Sequence, residues 1–235
     1  MYLLSDYPDE STLIGETLDF LIKYLVRRNL TDYPGTRKLD QIFIDTIQEC
    51  EKYKDSLNSK IIIDFLTQSD KFSSSEEFSQ RLNGNIYEIN IQAARFILTK
   101  IEEATFTDEI WRDLWEKKNN KIVWSIEHIL PQGKILNESW VKMIASGDKE
   151  RAKELQADYT HKLGNLTLTR YNPALSNSDF ITKRDKTDRG GKPIGFKNGL
   201  FLNKNLAKKD IWTIGDIENR TKYLVKKAKE LFEIW

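Results

Sequence analysis

The sequence has few of the residues that build disulfides and metal clusters. It contains one cysteine and two histidines in 235 residues. The single cysteine, Cys50, excludes an intrachain disulfide and a cysteine-rich structural zinc site, which suits a reducing cytoplasm. No apolar run approaches the roughly 18 to 20 residues of a membrane span. The N-terminal MYLLSDYPDE lacks the basic start of a secretory signal. These absences indicate a soluble cytoplasmic protein with no membrane partner.

Acidic and basic residues almost cancel, so the overall charge favours no class of partner. There are 37 Lys and Arg against 36 Asp and Glu, with 39% hydrophobic and 31% charged residues. The distribution is uneven, because residues 183–209 contain nine basic residues and two acidic ones. Such a segment can neutralise the phosphates of a nucleic acid, or it can be a solvated loop.

The first 118 residues are predicted to be helical. An apolar stripe that includes Ile14, Leu18 and Ile22 predicts a first helix over residues 11–28, and Pro34 with Gly35 marks the turn that follows. Further helices are expected after position 36, after a cap at Ser75, through residues 89–104 and over TDEIWRDLWEKK. The segment SKIIIDFLTQS fits either a helix or a strand. No catalytic or ligand-binding motif is evident in these 118 residues. The six tryptophans of the chain are expected to be core residues.

The pattern changes at residue 121. The segments KIVWSIEHI and LGNLTLT are rich in β-branched residues and predict two strands, with a helical stretch between them over residues 135–157. NPALSNSDFITKRDK predicts a short helix. The last 23 residues predict a longer one, which starts with a Thr213–Asp216 capping box and carries an apolar stripe to Trp235. The fold class is therefore α+β, mostly α, with a helical region at 1–118 and a second module at 119–235.

The polar residues of the second module follow an order that suggests a metal-dependent site. His128 can accept a proton from water near neutral pH, and Glu127 is a hard oxygen ligand suited to Mg²⁺ or Mn²⁺. Asn177 can add a second oxygen, and Lys183 lies six residues further along, within reach of a phosphate. Strand alternation points Glu127 and His128 to opposite faces unless the strand ends or bends there, as Pro131 suggests.

Four segments together resemble a known family. EHILPQ, HKLGNLTLT, NPALSNSDFITK and the terminal IWTIGDIENRTKYLVKKAKELFEIW are similar, in this order, to the C-terminal HNH nuclease domain of the GmrSD-type restriction endonucleases. That domain belongs to the His-Me finger, or ββα-metal, endonucleases. The helical stretch up to residue 118 also resembles the region that precedes the module in this class. The resemblance therefore covers most of the chain.

The resemblance implies a role for each matching residue. His128 matches the general base, Glu127 and Asn177 match ligands of a single divalent metal ion, and Asn165 matches the residue that braces the hairpin. His161 falls where this class often has histidine, which implies a supporting position or a phosphate contact. Lys183 matches a lysine of the family motif, and we expect it to contact the DNA backbone together with the basic loop that follows, through Arg184, Lys186, Arg189 and Lys192.

The implied activity is hydrolysis of phosphodiesters in double-stranded DNA, in defence against phage or foreign DNA that is often modified. The class normally has a recognition and NTPase domain before this module, as part of the same protein or as a subunit, and no phosphate-binding glycine motif is present in this chain. The alternative is a non-catalytic nucleic-acid-binding or scaffolding module on a decayed nuclease fold. The intact set of Glu, His, Asn and Lys favours the enzyme.

Overall fold

The computed structural model describes residues 2–234, which form two compact units. The first comprises residues up to Arg81 together with those from Lys229 onward, and the second comprises Leu82–Ala228. The fold is α+β and mostly α, as the sequence predicts. The division at residue 82 reflects packing, and the functional division between residues 1–118 and 119–235 stays a prediction. None of the helices in the described part has the length and apolar character of a membrane span.

The first unit is built from α-helices. Their bounds are α1 Tyr2–Asp6, α2 Ser11–Thr31, α3 Thr36–Glu51, α4 Ser59–Leu66 and α5 Ser75–Asn83, the last of which reaches into the second unit. The ambiguous SKIIIDFL segment is a helix, and Asn58 begins it by accepting a hydrogen bond from the amide of Ile61. Ser74 rather than Ser75 caps α5, through the amide of Glu77 at 3.0 Å.

The buried face of α2 differs from the predicted one. Phe20 and Tyr24 are buried in the core of the first unit, whereas Leu18 and Ile22 are 54% and 45% exposed. The helix is apolar on two sides, and the aromatic side is the one that packs against α3 and α4. Tyr24 also donates a hydrogen bond to the backbone oxygen of Lys71, which satisfies its buried hydroxyl.

The second unit combines short strands with helices. The strands are β1 Lys117–Lys118, β2 Lys121–Ile122, β3 Ser125–His128 and β4 Leu166–Thr169. The helices are α6 Ile86–Ile89, α7 Ile91–Glu103, α8 Glu138–Ala145, α9 Lys149–Tyr159, α10 Asn172–Leu175, α11 Phe180–Asp185 and α12 Ile214–Phe232, of which the second unit includes residues up to Ala228. Two-stranded antiparallel sheets form from β1 with β2 and from β3 with β4. The core of this unit contains Ile129, Leu130, Trp140, Leu175, Phe180, Phe196, Leu206, Trp212 and Ile217.

The helix predicted over TDEIWRDLWEKK is wrong. Residues 107–116 form turns and irregular backbone, and β1 follows. Side chains take the backbone amides that a helix would use. Thr107 Oγ1 accepts a hydrogen bond from the amide of Ile110, and Asp113 Oδ1 accepts one from the amide of Trp115. Trp111 is 72% and Trp115 is 40% exposed, so the tryptophans of this segment are not core residues.

Helix α12 packs against the start of β4 and is bonded to it through Arg220. Thr213 and Asp216 form the predicted capping box, in which each side chain accepts a hydrogen bond from the other residue's amide. Ile217, Leu224, Val225, Ala228 and Phe232 are buried, and Trp235 lies outside the described residues. Arg220 donates to the carbonyl oxygens of Gly164 and Leu166, which ties α12 to the start of β4. Gly164 is required there, because a Cβ would come within 2.1 Å of the backbone oxygen of Ile217.

Candidate active site

The candidate site is built on the pairing of β3 with β4. Glu127 lies opposite Thr167 and His128 lies opposite Leu166 in the antiparallel register. The strand ends at His128, and the amide of Ile129 donates to the backbone oxygen of Asn165 at 2.9 Å. Pro131, which supplies no amide hydrogen, follows two residues later. The sequence places the end of this strand correctly, but the single strand predicted over KIVWSIEHI is divided into β2 and β3, which belong to different sheets.

Asn165 holds the two strands together through its side chain. Its Oδ1 accepts from the amide of Leu130 at 2.8 Å, and its Nδ2 donates to the backbone oxygens of Leu130 and Thr160 at 2.9 Å each. The residue is fully buried. One amide side chain therefore satisfies both backbone groups of Leu130, in a segment that no regular strand pairing covers. This geometry is what a bracing residue requires.

Glu127 is paired with Lys183 of α11. The Lys183 ammonium lies 2.6 Å from Glu127 Oε1 and 2.7 Å from the backbone oxygen of His128, and both side chains are almost completely buried. Burial raises the pKa of the Glu127 carboxyl and lowers the pKa of the Lys183 ammonium, and the attraction between the two opposes both effects. Lys183 therefore occupies the cation position next to Glu127, and its burial keeps it from contact with a DNA phosphate in this structure.

His128 contacts a different set of partners from Glu127. Its Nε2 lies 3.3 Å from Nδ1 of His161, and its ring meets the edge of Tyr87 with a centroid distance of 4.5 Å. His161 stacks on Tyr87 at 5.4 Å and places Nε2 3.6 Å from a carboxylate oxygen of Glu88. The two histidines of the chain thus meet in one place. The alternation of the strand is preserved, with Glu127 toward α11 and His128 toward Tyr87.

Burial also determines the protonation state of His128. Together with the positive charge that His161 and Lys183 can carry, it lowers the pKa of the imidazole to about 3. The imidazole is therefore neutral at pH 7, the form that can accept a proton. A base with so low a pKa is a weak one, but a phosphate beside it would stabilise the imidazolium and raise the pKa.

Asn177 has different neighbours from Glu127. The helix predicted over residues 172–186 is interrupted at Ser176, where φ is 42°, and Asn177 falls in the break between α10 and α11. Its side chain is exposed and lies against Gly133, where an added Cβ would come within 2.2 Å of Asn177 Nδ2. Its backbone oxygen accepts a hydrogen bond from Asn137 at 3.4 Å.

The predicted metal ligands, Glu127 and Asn177, have different neighbours in this structure. The Glu127 carboxylate is bonded to Lys183, and Asn177 packs on Gly133. No three His, Cys, Asp or Glu side chains within residues 2–234 are grouped closely enough to hold a metal ion. Lys183 engages Glu127 Oε1, so a divalent ion at this oxygen would have to displace the ammonium.

The predicted DNA-binding residues divide into two groups. Lys183 is buried, and Arg184 is held by Asp185 and Asp210 through ion pairs of 2.7 and 2.6 Å. Arg189 and Lys192 are exposed and Lys186 is half-buried, in the loop that follows α11. Only this second group presents positive charge that is available to a ligand.

Tyr87 and Glu88 have no counterpart in the sequence prediction, which assigned no chemistry to residues 1–118. They lie on α6 and meet His161, which is more than 70 residues further along the chain. The amide of Tyr87 donates to the backbone oxygen of His161 at 3.3 Å, which fixes the approach of the two segments. The segment NIYEIN carries no local signal for such a contact, so only the tertiary structure shows it.

Fold and site together define a mostly α-helical α+β protein with a polar centre, in which a two-stranded sheet carries a buried histidine next to a buried ion pair. Residues 67–227 match the family model described as GmrSD restriction endonucleases, C-terminal domain, and the chain belongs to this family. Comparisons with curated proteins and with solved structures gave no match. The resemblance seen in the sequence is confirmed at the level of the family.

Proposed function

We propose that this chain is a DNA endonuclease module that hydrolyses phosphodiester bonds with His128 as the general base. Membership of a restriction endonuclease family supports DNA as the substrate. The observation that carries the proposal is the neutral, buried imidazole of His128 at the end of β3, in a strand pair braced by Asn165 and followed by the short helices α10 and α11. This order of two strands and a helix is the one that the ββα-metal resemblance implies.

In this reaction His128 takes a proton from the attacking water as the water approaches phosphorus. Asn165 keeps the end of β3 in place, and the pair of Glu127 and Lys183 fixes the backbone of His128 from the other side. Arg189 and Lys192 are exposed and would neutralise phosphates of the bound strand, with Lys186 beside them. Contacts of this kind position DNA without reading its bases, so cleavage is expected to be weakly sequence-specific.

Dependence on one Mg²⁺ or Mn²⁺ ion is part of the proposal, on the strength of the family resemblance. The resemblance assigns the ion to Glu127, which is bonded to Lys183, and to Asn177, which packs on Gly133. We place the activity in cytoplasmic defence against phage or foreign DNA, including modified DNA, with a recognition or NTPase domain as partner.

A plasmid-nicking assay tests the proposal. The parent chain is expected to nick supercoiled DNA with Mg²⁺ or Mn²⁺ and to lose this activity in excess EDTA. His128→Ala should lower the rate by at least about 100-fold, the scale of a general base. Lys142→Ala, which removes an exposed lysine of α8, is the matched surface control.

Two results would contradict the proposed endonuclease activity. One is a parent that stays inactive when assayed in the full assembly with its partner domain, and the other is a His128→Ala variant with parental activity. DNA binding without cleavage would instead support the alternative, a non-catalytic nucleic-acid-binding or scaffolding module.

A further inference from the structure

The contacts of the two histidines decide which nitrogen of His128 carries the hydrogen. Neutral imidazole has one N–H donor and one acceptor nitrogen, and the hydrogen-bond partners select between the two tautomers. His128 Nε2 and His161 Nδ1 face one another at 3.3 Å, so one of them donates and the other accepts. The residue that contacts the other nitrogen of His161 determines which of the two histidines donates.

That partner is Glu88. Its carboxylate oxygen lies 3.6 Å from Nε2 of His161, an electrostatic contact that favours the hydrogen on this nitrogen. Glu88 is fixed in turn by Asn85, whose Nδ2 donates to the other carboxylate oxygen at 3.2 Å. With the hydrogen on Nε2, Nδ1 of His161 carries the lone pair and accepts. His128 Nε2 is then the donor.

Donation from Nε2 leaves the lone pair of His128 on Nδ1. No hydrogen bond within residues 2–234 engages this nitrogen, so it is the atom that remains for a water molecule. Tyr87 limits the rotation of both rings, because it stacks on His161 with an interplanar angle of 12° and meets His128 edge-on at 75°. With 5% of His128 exposed, the ring has little room for another orientation.

We propose that Glu88 and His161 are positioning residues, which hold His128 in the tautomer protonated on Nε2 and thereby make Nδ1 the base. The catalytic consequence rests on the proposed endonuclease function, whereas the tautomer itself does not. Glu88 acts through His161 and His161 acts through His128, so neither needs to touch the substrate.

Nitrogen-15 NMR of the labelled chain measures the tautomer directly, and two histidines make the assignment simple. The parent should show His128 protonated on Nε2 and unprotonated on Nδ1 at pH 7. In His161→Leu the acceptor is lost, and the spectrum should show a mixture of tautomers. His161→Asn puts an amide oxygen close to the position of Nδ1, so it should restore the parental tautomer. Glu88→Gln should shift part of the population, and Glu109→Gln, which removes an exposed carboxylate elsewhere, should not.

The nicking assay gives the second readout. For His161→Leu we expect kcat to fall on the order of 10- to 100-fold, the usual scale for a residue that orients a functional histidine, with KM within about threefold. His161→Asn should recover most of kcat. A parent with His128 protonated on Nδ1, or His161→Leu with the parental tautomer and parental kcat, overturns the positioning role. A correct tautomer in a chain without nuclease activity supports the positioning geometry and rejects the endonuclease function instead.

Discussion

The ammonium of Lys183 bridges the carboxylate of Glu127 and the backbone oxygen of His128, at 2.6 and 2.7 Å. One buried cation thus joins α11 to the end of β3, next to the proposed base. The charges compensate one another, which permits both to be buried. The pair fixes the backbone of His128 while the contact to His161 fixes its ring.

Removing one member of this pair should be strongly destabilising. Lys183→Met leaves the Glu127 carboxylate and the His128 carbonyl buried without a donor, and we expect a loss of about 3 to 5 kcal/mol in the free energy of unfolding. The double variant Lys183→Met with Glu127→Leu should recover a large part of this loss. Urea unfolding of the two single variants and the double variant measures the coupling. Lys192→Met, at an exposed position, should change stability by less than about 0.5 kcal/mol. Independent effects of the two single changes would contradict the pairing.

Asn165 should tolerate no substitution. Asn165→Ala leaves the amide and carbonyl of Leu130 and the carbonyl of Thr160 buried without partners, and each such group costs about 1 to 3 kcal/mol. Asn165→Asp keeps the acceptor for the amide of Leu130 but puts a carboxylate oxygen against two carbonyls, so it should be comparably destabilising. Denaturant unfolding measures both. Asn205→Ala, at an exposed position of the same unit, is the control. Parental stability of Asn165→Asp would show that the Nδ2 contacts contribute little.

Local features of the sequence predicted the elements that local forces determine. The capping box of α12, the turn at Pro34 and Gly35 and the end of β3 before Pro131 each depend on a few neighbouring residues. The predicted helix over residues 107–118 failed because hydroxyl and carboxylate side chains bind the nearby backbone amides instead. The buried face of α2 could not be chosen from the sequence, because both of its sides are apolar and only the packing partner decides.

The site was predictable where a motif fixes it and not where distant segments meet. His128 lies at the end of β3 and Asn165 directly before β4, as the order of the segments implies. The partner of Glu127 was among the predicted residues, but Lys183 turns inward to it rather than outward to DNA. Tyr87 and Glu88 come from a helix with no pattern of its own, because their contacts depend on how α6 packs against the segment before β4.

The stability of the protein should decrease in acid because of His128. Burial lowers the pKa of His128 to about 3, whereas an unfolded histidine has a pKa of about 6.5. Below pH 6.5 the unfolded state therefore binds a proton that the folded state does not, and folding stability falls by about 1.4 kcal/mol per pH unit until the folded pKa is reached. Above pH 6.5 the group has no effect. Urea unfolding at pH 7, 6 and 5 should show a smaller decrease for His128→Asn than for the parent. Equal decreases in the two proteins would contradict a neutral buried imidazole.

Gly195 should be essential for the position of the Lys183 side chain beside Glu127. A Cβ at this position would lie 2.0 Å from the backbone oxygen of Lys183 and 2.8 Å from that of Arg184, so the backbone of α11 would have to move. The amides of Gly195 and Phe196 also donate to the oxygens of Lys186 and Lys183 at 3.0 and 3.2 Å. Gly195→Ala should therefore lower the free energy of unfolding by about 3 kcal/mol, at the upper end of what overpacking costs.

Gly190→Ala provides the matched control for this change in the same loop. Its Cβ would come no closer than 3.4 Å, to a carboxylate oxygen of Asp188, so stability should change by less than about 1 kcal/mol. Thermal unfolding of both variants measures the difference, and nicking activity should follow it, because a displaced Lys183 releases both Glu127 and the carbonyl of His128. If Gly195→Ala unfolds like Gly190→Ala, the close approach of the loop to α11 does not hold Lys183 in place, and the ion pair must be positioned by α11 alone.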